Sequence, residues 1–141
     1  MTIYADSSFI VSLYVTDSHS VSSRQRIGTV SRVWWTPLHV AEWAHAIAQH
    51  VFRGSVSLDE EQEVYRQLKH DKLSGLWLEP QMPENAFDLC ADLARRYGPK
   101  LGVRTLDSLH VACALELKAE RFWTFDERQA KLAKAEGLKI A

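Results

Sequence analysis

Residues 105 to 126 constrain this chain more than any other stretch of its 141 residues. Thr105 stands where a helix N-cap would be, and Asp107 falls in the first turn, where the helix dipole and unpaired backbone N–H groups favour an acid. Small and apolar residues follow on nearly every side: Leu109, Val111, Ala112, Cys113, Ala114, Leu115 and Leu117. That pattern predicts a helix buried deep in its domain rather than one with a single apolar stripe. Phe122 to Phe125 then predicts a short buried strand, with Asp126 at its C-terminal end. In open α/β sheets that end is where ligands bind. One supersecondary unit thus carries two carboxylates to the edge of a core.

The rest of the chain supplies short apolar strands alternating with helices. Thr2 to Ala5 predicts a strand ended by Asp6, with Ser7 or Ser8 capping a helix over 9–15. A second helix is expected over about 20–30, then a strand over 33–36 closed by Pro37. Residues 38–52 have strong helical spacing, and Glu42, His45 and Gln49 interrupt an otherwise apolar face. Ser57 to Glu60 has the form of a capping box for a helix over 59–71. Leu76 to Leu78 predicts a third strand, residues 83–97 a helix with proline near its first turn, and 95–100 a basic loop. Residues 127–136 predict a last helix and 138–140 a final strand. This alternation implies an α/β sheet with helices on both faces.

Length suits one domain over 1–141. No apolar run approaches the ~20 residues of a membrane span, and the N-terminus lacks a basic, cleavable leader, so a cytoplasmic protein is expected. Cys90 and Cys113 sit in apolar helical surroundings without CxxC spacing, as reduced core residues do. The net charge of −1 neither favours nor excludes a nucleic-acid partner.

Asp6, Glu42, Asp107 and Asp126 each place an acid beside core-forming sequence, where carboxylates are rarely left unpaired. Were the four to converge, repulsion would raise their pKa values unless cations neutralised them. An oxygen-rich acidic site suits Mg²⁺ or Mn²⁺, ions that lower the pKa of bound water and hold a phosphodiester for in-line attack. Each acid also has a purely structural reading: helix caps for Asp6 and Asp126, a dipole-stabilising acid for Asp107, an arginine partner for Glu42. Glu42-x-x-His45 and Asp107-x-x-His110 have the spacing of di-iron bundles, but those need four long helices. A receiver-type phosphate switch would need paired acids after the first strand, and only Asp6 is there.

The order of these motifs resembles PIN-domain nucleases, most closely the VapC-type toxins of type II toxin–antitoxin operons. The resemblance rests on residues 3–8, Ala41-Glu42, the Leu106-Asp107-Ser108-Leu109-His110-Val111-Ala112 run and Trp123-Thr124-Phe125-Asp126, and it covers nearly the whole length. It implies a PIN-like α/β/α sandwich with a mainly parallel central sheet. It also implies ribonuclease activity with Mg²⁺ or Mn²⁺ on Asp6, Glu42, Asp107 and Asp126, and Thr124 and Ser7 supporting those acids. The implied partners are an RNA substrate, a cognate antitoxin whose tail enters the groove, and a second copy in a homodimer. Arg95, Arg96, Lys100 and Arg104 precede Asp107 and are candidate phosphate contacts. A PIN fold that only binds a partner, without catalysis, is the alternative. Neither composition nor spacing identifies the RNA.

Overall fold

The computed structural model describes residues 2–140. Four short strands, β1 (Ile3–Ala5), β2 (Val33–Trp34), β3 (Trp77–Leu78) and β4 (Arg121–Trp123), form one sheet in the order β3-β2-β1-β4. All the pairings are parallel, with Ile3 beside both Val33 and Arg121, and Val33 beside Trp77. Parallel strands need crossovers, and the helices provide them. They are α1 (Ser7–Tyr14), α2 (Ser20–Ile27), α3 (Pro37–Phe52), α4 (Leu58–Leu73), α5 (Ala86–Leu101), α6 (Thr105–Glu116) and α7 (Glu127–Ala135).

Side-chain alternation along the strands sorts the core into two layers. Ile3 and Ala5 of β1 and Trp123 of β4 face one cluster with Phe9, Ile10, Trp35, Trp43, Ile47 and Trp77, beneath α1, α3 and α4. Tyr4 and Phe122 face the other, with Leu93, Leu109, Ala112, Cys113 and Leu132 of α5, α6 and α7. Helices on both faces of a mainly parallel sheet make the α/β/α sandwich expected. Four of the five tryptophans are buried in the first layer and Trp34 is half-buried against the second, so core packing accounts for the aromatic content. Every residue of α6 from Asp107 to Ala114 is buried, as its all-round small and apolar sequence requires.

Several boundaries differ from the sequence expectation, each for a local reason. Asp6, not Ser7 or Ser8, caps α1: its carboxylate accepts from Phe9 N at 2.8 Å. α2 ends at Ile27, and β2 and β3 are each two residues long, β3 starting at Trp77 rather than Leu76. Arg104 rather than Thr105 takes the N-cap position of α6. Residues 138–140 contribute a single parallel bridge, Lys139 to Arg121.

The expected basic loop at 95–100 is helical. α5 begins three residues later than predicted and runs through Gly98 and Pro99 to Leu101. Proline deletes one hydrogen bond to the preceding turn, and at 99 it stands within the last turn, where that loss costs least. The stop comes at Gly102, whose φ of +65° is the left-handed conformation glycine adopts without penalty. The capping box at Ser57 and Glu60 is formed, with both hydrogen bonds at 3.1 Å. Cys90 and Cys113 are free and buried. Among the described residues no helix is long and apolar enough to cross a membrane.

Candidate active site

The C-terminal edge of the sheet opens into a cavity of about 460 Å³ lined by Asp6, Glu42, Asp107 and Asp126, together with Ser7, Arg104, His110 and Gln129. Four separate elements deliver the acids. Asp6 follows β1, Glu42 lies in the second turn of α3, Asp107 is in the first turn of α6, and Asp126 caps α7 just beyond β4.

Each carboxylate is held by donors nearby. Asp6 is buried and accepts from Phe9 N, from the Ser8 hydroxyl at 3.0 Å and from Thr124 Oγ1 at 2.8 Å. Thr124 Oγ1 in turn accepts from Asp126 N at 2.9 Å, so one hydroxyl ties the ends of β1 and β4 together. Asp126 accepts from Gln129 N at 2.9 Å. Asp107 is buried; its Oδ2 accepts from Arg104 N and its Oδ1 from Gln129 Nε2, both at 3.0 Å. Glu42 Oε1 accepts from Ser7 Oγ at 2.7 Å and forms a very short contact with His110 Nε2. Ser7 and Thr124 therefore both touch the acids, although Thr124 donates to Asp6 and meets Asp126 only through its backbone.

Burial and these donors pull Asp6 and Glu42 in opposite directions. Burial pushes the Asp6 carboxyl above its ordinary range, and the hydrogen bonds from Phe9, Thr124 and Ser8 only partly offset it. Burial also works to raise Glu42, but the hydrogen bond and charge of His110, with Ser7, outweigh it and hold Glu42 below the usual range. Because folding raises the Asp6 value, its contribution is most favourable below the unfolded carboxyl value near 3.9 and is lost as pH rises through the folded value. At pH 7 without metal, the ionised Asp6 therefore opposes folding relative to a neutral isostere. Asp6→Asn keeps a good N-cap and should raise the melting temperature in EDTA at pH 7, with the gain disappearing towards pH 3. A lower melting temperature at pH 7 would mean that the hydroxyl donors need the charge.

An oxygen-only donor set in one cavity is chemically suited to Mg²⁺ or Mn²⁺. Yet among the described residues no three acid, histidine or cysteine side chains are gathered closely enough to form a metal cage. Each carboxylate is instead hydrogen-bonded to a backbone N–H or a side-chain donor.

Of the basic residues, the structure brings only Arg104 to the cavity, with Nε 3.8 Å from Asp107 Oδ2 and the side chain largely exposed. Arg95 and Lys100 lie on α5 away from the cavity lining. Arg96 is engaged by Glu136 through two hydrogen bonds, at 3.0 and 3.1 Å, and by Asp92. The di-iron spacing is not realised: exposed His45 bonds to the Ala41 carbonyl of its own helix, and Glu42 meets His110 of another helix instead.

Sequence reasoning singled out His110 only through its spacing from Asp107, and assigned no site role to His39 or Gln129. His39 is fully buried; its Nε2 donates to Ala5 O at 2.7 Å and its Nδ1 accepts from Thr36 N at 2.9 Å, which fixes the backbone just before Asp6. Burial first, and the neighbouring His110 second, push its pKa down to about 3, so it serves as a neutral strut. The signal in the sequence is Thr36-x-x-His39 at capping-box spacing. Gln129 carries no such signal, because its partner Asp107 is 22 positions away.

A parallel α/β/α sandwich with four acids around one cavity at the strands' C-terminal edge defines a class of acidic-site α/β domains. The PIN domain family model matches residues 3–135, and the chain belongs to the PIN-domain family. No curated protein sequence matches significantly. Among solved structures, VapC20 of Mycobacterium tuberculosis, a sarcin–ricin-loop-cleaving toxin, is similar with a TM-score of 0.70 at 13% identity, covering 99% of this chain and 98% of that one. FitAcB of Neisseria gonorrhoeae has a TM-score of 0.70 at 16% identity, covering 98% and 95%. VapBC2 of Rickettsia felis, bound to a DNA fragment from its promoter, has 0.67 at 15%, covering 100% and 98%. At these identities the likeness is one of fold.

Proposed function

We propose that this chain is a Mg²⁺- or Mn²⁺-dependent ribonuclease and the toxin of a type II toxin–antitoxin pair of the VapC type. The observation that carries the reading is the convergence of Asp6, Glu42, Asp107 and Asp126, from four elements, on a single cavity of about 460 Å³. Asp6, Glu42, Asp107 and Asp126 would hold the cation, which when bound supplies an activated water and charge neutralisation at the phosphate. The chain's own residues do the rest. The Thr124 hydroxyl fixes the Asp6 carboxylate, and the α7 cap holds Asp126 beside it. Arg104, exposed at the rim, offers a guanidinium to the RNA backbone, the kind of contact that positions a strand without reading its sequence.

The likeness to a toxin that cleaves the sarcin–ricin loop, and to VapBC2, supports the toxin role; the cognate antitoxin and the homodimer are what the family resemblance of the sequence adds to this reading. One domain over 1–141 and a cytoplasmic site of action belong to the same reading. A catalytically silent PIN module draws on a different observation, that among the described residues no three acid, histidine or cysteine side chains gather as a metal cage. Expression of the chain alone in bacteria separates the two. The nuclease reading expects growth arrest, relief by a co-expressed antitoxin, and RNA cleavage by purified protein in Mn²⁺ but not in EDTA. Normal growth with soluble, folded protein and no cleavage in Mn²⁺ would sink it in favour of the silent module.

A further inference from the structure

His110 sits on α6 one turn after Asp107, 2% exposed, with both ring nitrogens engaged. Nδ1 is 2.7 Å from the hydroxyl of Tyr4, itself fully buried in β1. Nε2 contacts Glu42 Oε1 and lies 3.3 Å from Ser7 Oγ. A carboxylate offers only acceptors, so the proton in the Glu42 bond belongs to Nε2. Nδ1 is paired with the Tyr4 hydroxyl, which also neighbours Thr36 and Cys113. Tyr4 is clamped in turn by Phe122, stacked at 5.6 Å and 7°, and by the His39 ring at 4.9 Å. The result is a rigid chain from the sheet interior to the cavity wall: Tyr4, His110, Glu42. Ser7 and His110 both occupy Oε1, and among the described residues Oε2 has no partner.

We infer that His110 is the positioning residue of Glu42: backed by Tyr4, it occupies Oε1 and leaves Oε2 as the one oxygen that Glu42 presents to a divalent cation, directly or through one of the cation's waters. This rests on the metal-dependent reading above and specifies one ligand of that site. A partner that fixes a ligand's orientation and is itself fixed by a further bond typically changes metal affinity 10–100-fold when removed.

The test is titration of metal-free protein with Mn²⁺ alone, followed by the rise in melting temperature, for wild type, His110→Ala, His110→Gln and Tyr4→Phe. Glutamine places an N–H near the Nε2 position and is the conservative rescue. The expected result is a Mn²⁺ midpoint raised roughly 10–100-fold in His110→Ala, restored to within a few-fold of wild type in His110→Gln, and raised less in Tyr4→Phe. A merely structural histidine would lower the melting temperature in EDTA but leave the Mn²⁺ midpoint where it was, and that result overturns the inference. Wild type that shows no Mn²⁺ response while the fold is intact overturns the metal reading itself, a separable outcome. Should His110→Ala not fold, the ring nitrogens of wild type decide by ¹⁵N NMR. A proton on Nε2 that responds to Glu42→Gln supports the chain, and a bare Nε2 overturns it.

Discussion

Asp107→Asn should reduce RNA cleavage by at least roughly 10²-fold, the scale on which losing one preorganised charged group slows a reaction, while the metal-free protein melts close to wild type. The second half of that statement comes from the bonds to Asp107. Its Oδ2 accepts from Arg104 N and its Oδ1 from Gln129 Nε2. Asparagine keeps one oxygen for Arg104 N and turns an NH₂ toward Gln129. The Gln129 Oε1 atom is buried with no partner, so flipping that amide gives it a donor and preserves the contact. The carboxylate's repulsion of Glu42 is also removed. Mn²⁺ stabilisation should shrink in the mutant, since a ligand held at 100 times its Kd adds about 2.7 kcal/mol to the folded state and a weaker site adds less. If Asp107 only served the helix terminus, the mutant would lose about 0.5–1 kcal/mol with or without metal. Melts in EDTA and in Mn²⁺, beside a cleavage assay, decide. A mutant that melts lower in EDTA, responds to Mn²⁺ as wild type does and still cuts RNA rules out Asp107 as a ligand.

The largest loss of stability should follow Phe122→Ala. Phe122 is fully buried in β4, stacked on Tyr4 and packed among the residues of α5, α6 and α7. Truncating such a ring costs about 3–5 kcal/mol through lost transfer energy and a residual cavity. Against a total stability of about 5–15 kcal/mol, the melting temperature should fall by roughly 10–20 °C for a chain of this size. The cavity also frees the Tyr4 ring whose hydroxyl meets His110, so what folded protein remains should bind Mn²⁺ less tightly. A drop of only a few degrees would show that the second layer collapses readily around the gap.

What was legible in the sequence follows the range of the interactions. Asp6 and Asp126 declare themselves because each ends an apolar strand, and Asp107 because it opens a helix apolar on all sides. Those are features within about ten residues. Glu42 is legible as the odd residue on an apolar helical face. The helix through Gly98 and Pro99 reads as a loop because two breakers in succession outweigh their position, and only the structure shows that they fall in the last turn of a helix that stops at Gly102. Arg96 reads as a free basic residue until Glu136, 40 positions away, takes its guanidinium. His110 is similar: its spacing from Asp107 is visible, but its partners Glu42 and Tyr4 lie 68 and 106 positions off. Nor does the sequence show the distant donors, Thr124 on Asp6, Ser7 and His110 on Glu42 and Gln129 on Asp107, that each take up a carboxylate oxygen.

The sheet order places the first strand made beside the last. β1 lies between β2 and β4, and the Thr124–Asp6 hydrogen bond that joins their ends spans 118 positions. During synthesis Asp6 and β1 emerge before Glu42 and Asp107, and β4 and Asp126 follow them all. A copy released at any point before residue 121 lacks β4, the Thr124 tie and Asp126 together. With domains folding as units once their parts are available, and a pairing this distant in sequence slow to close, the four acids come together only after β4 has been made. On the nuclease reading, a cell translating this protein meets its activity only from copies that extend past Asp126.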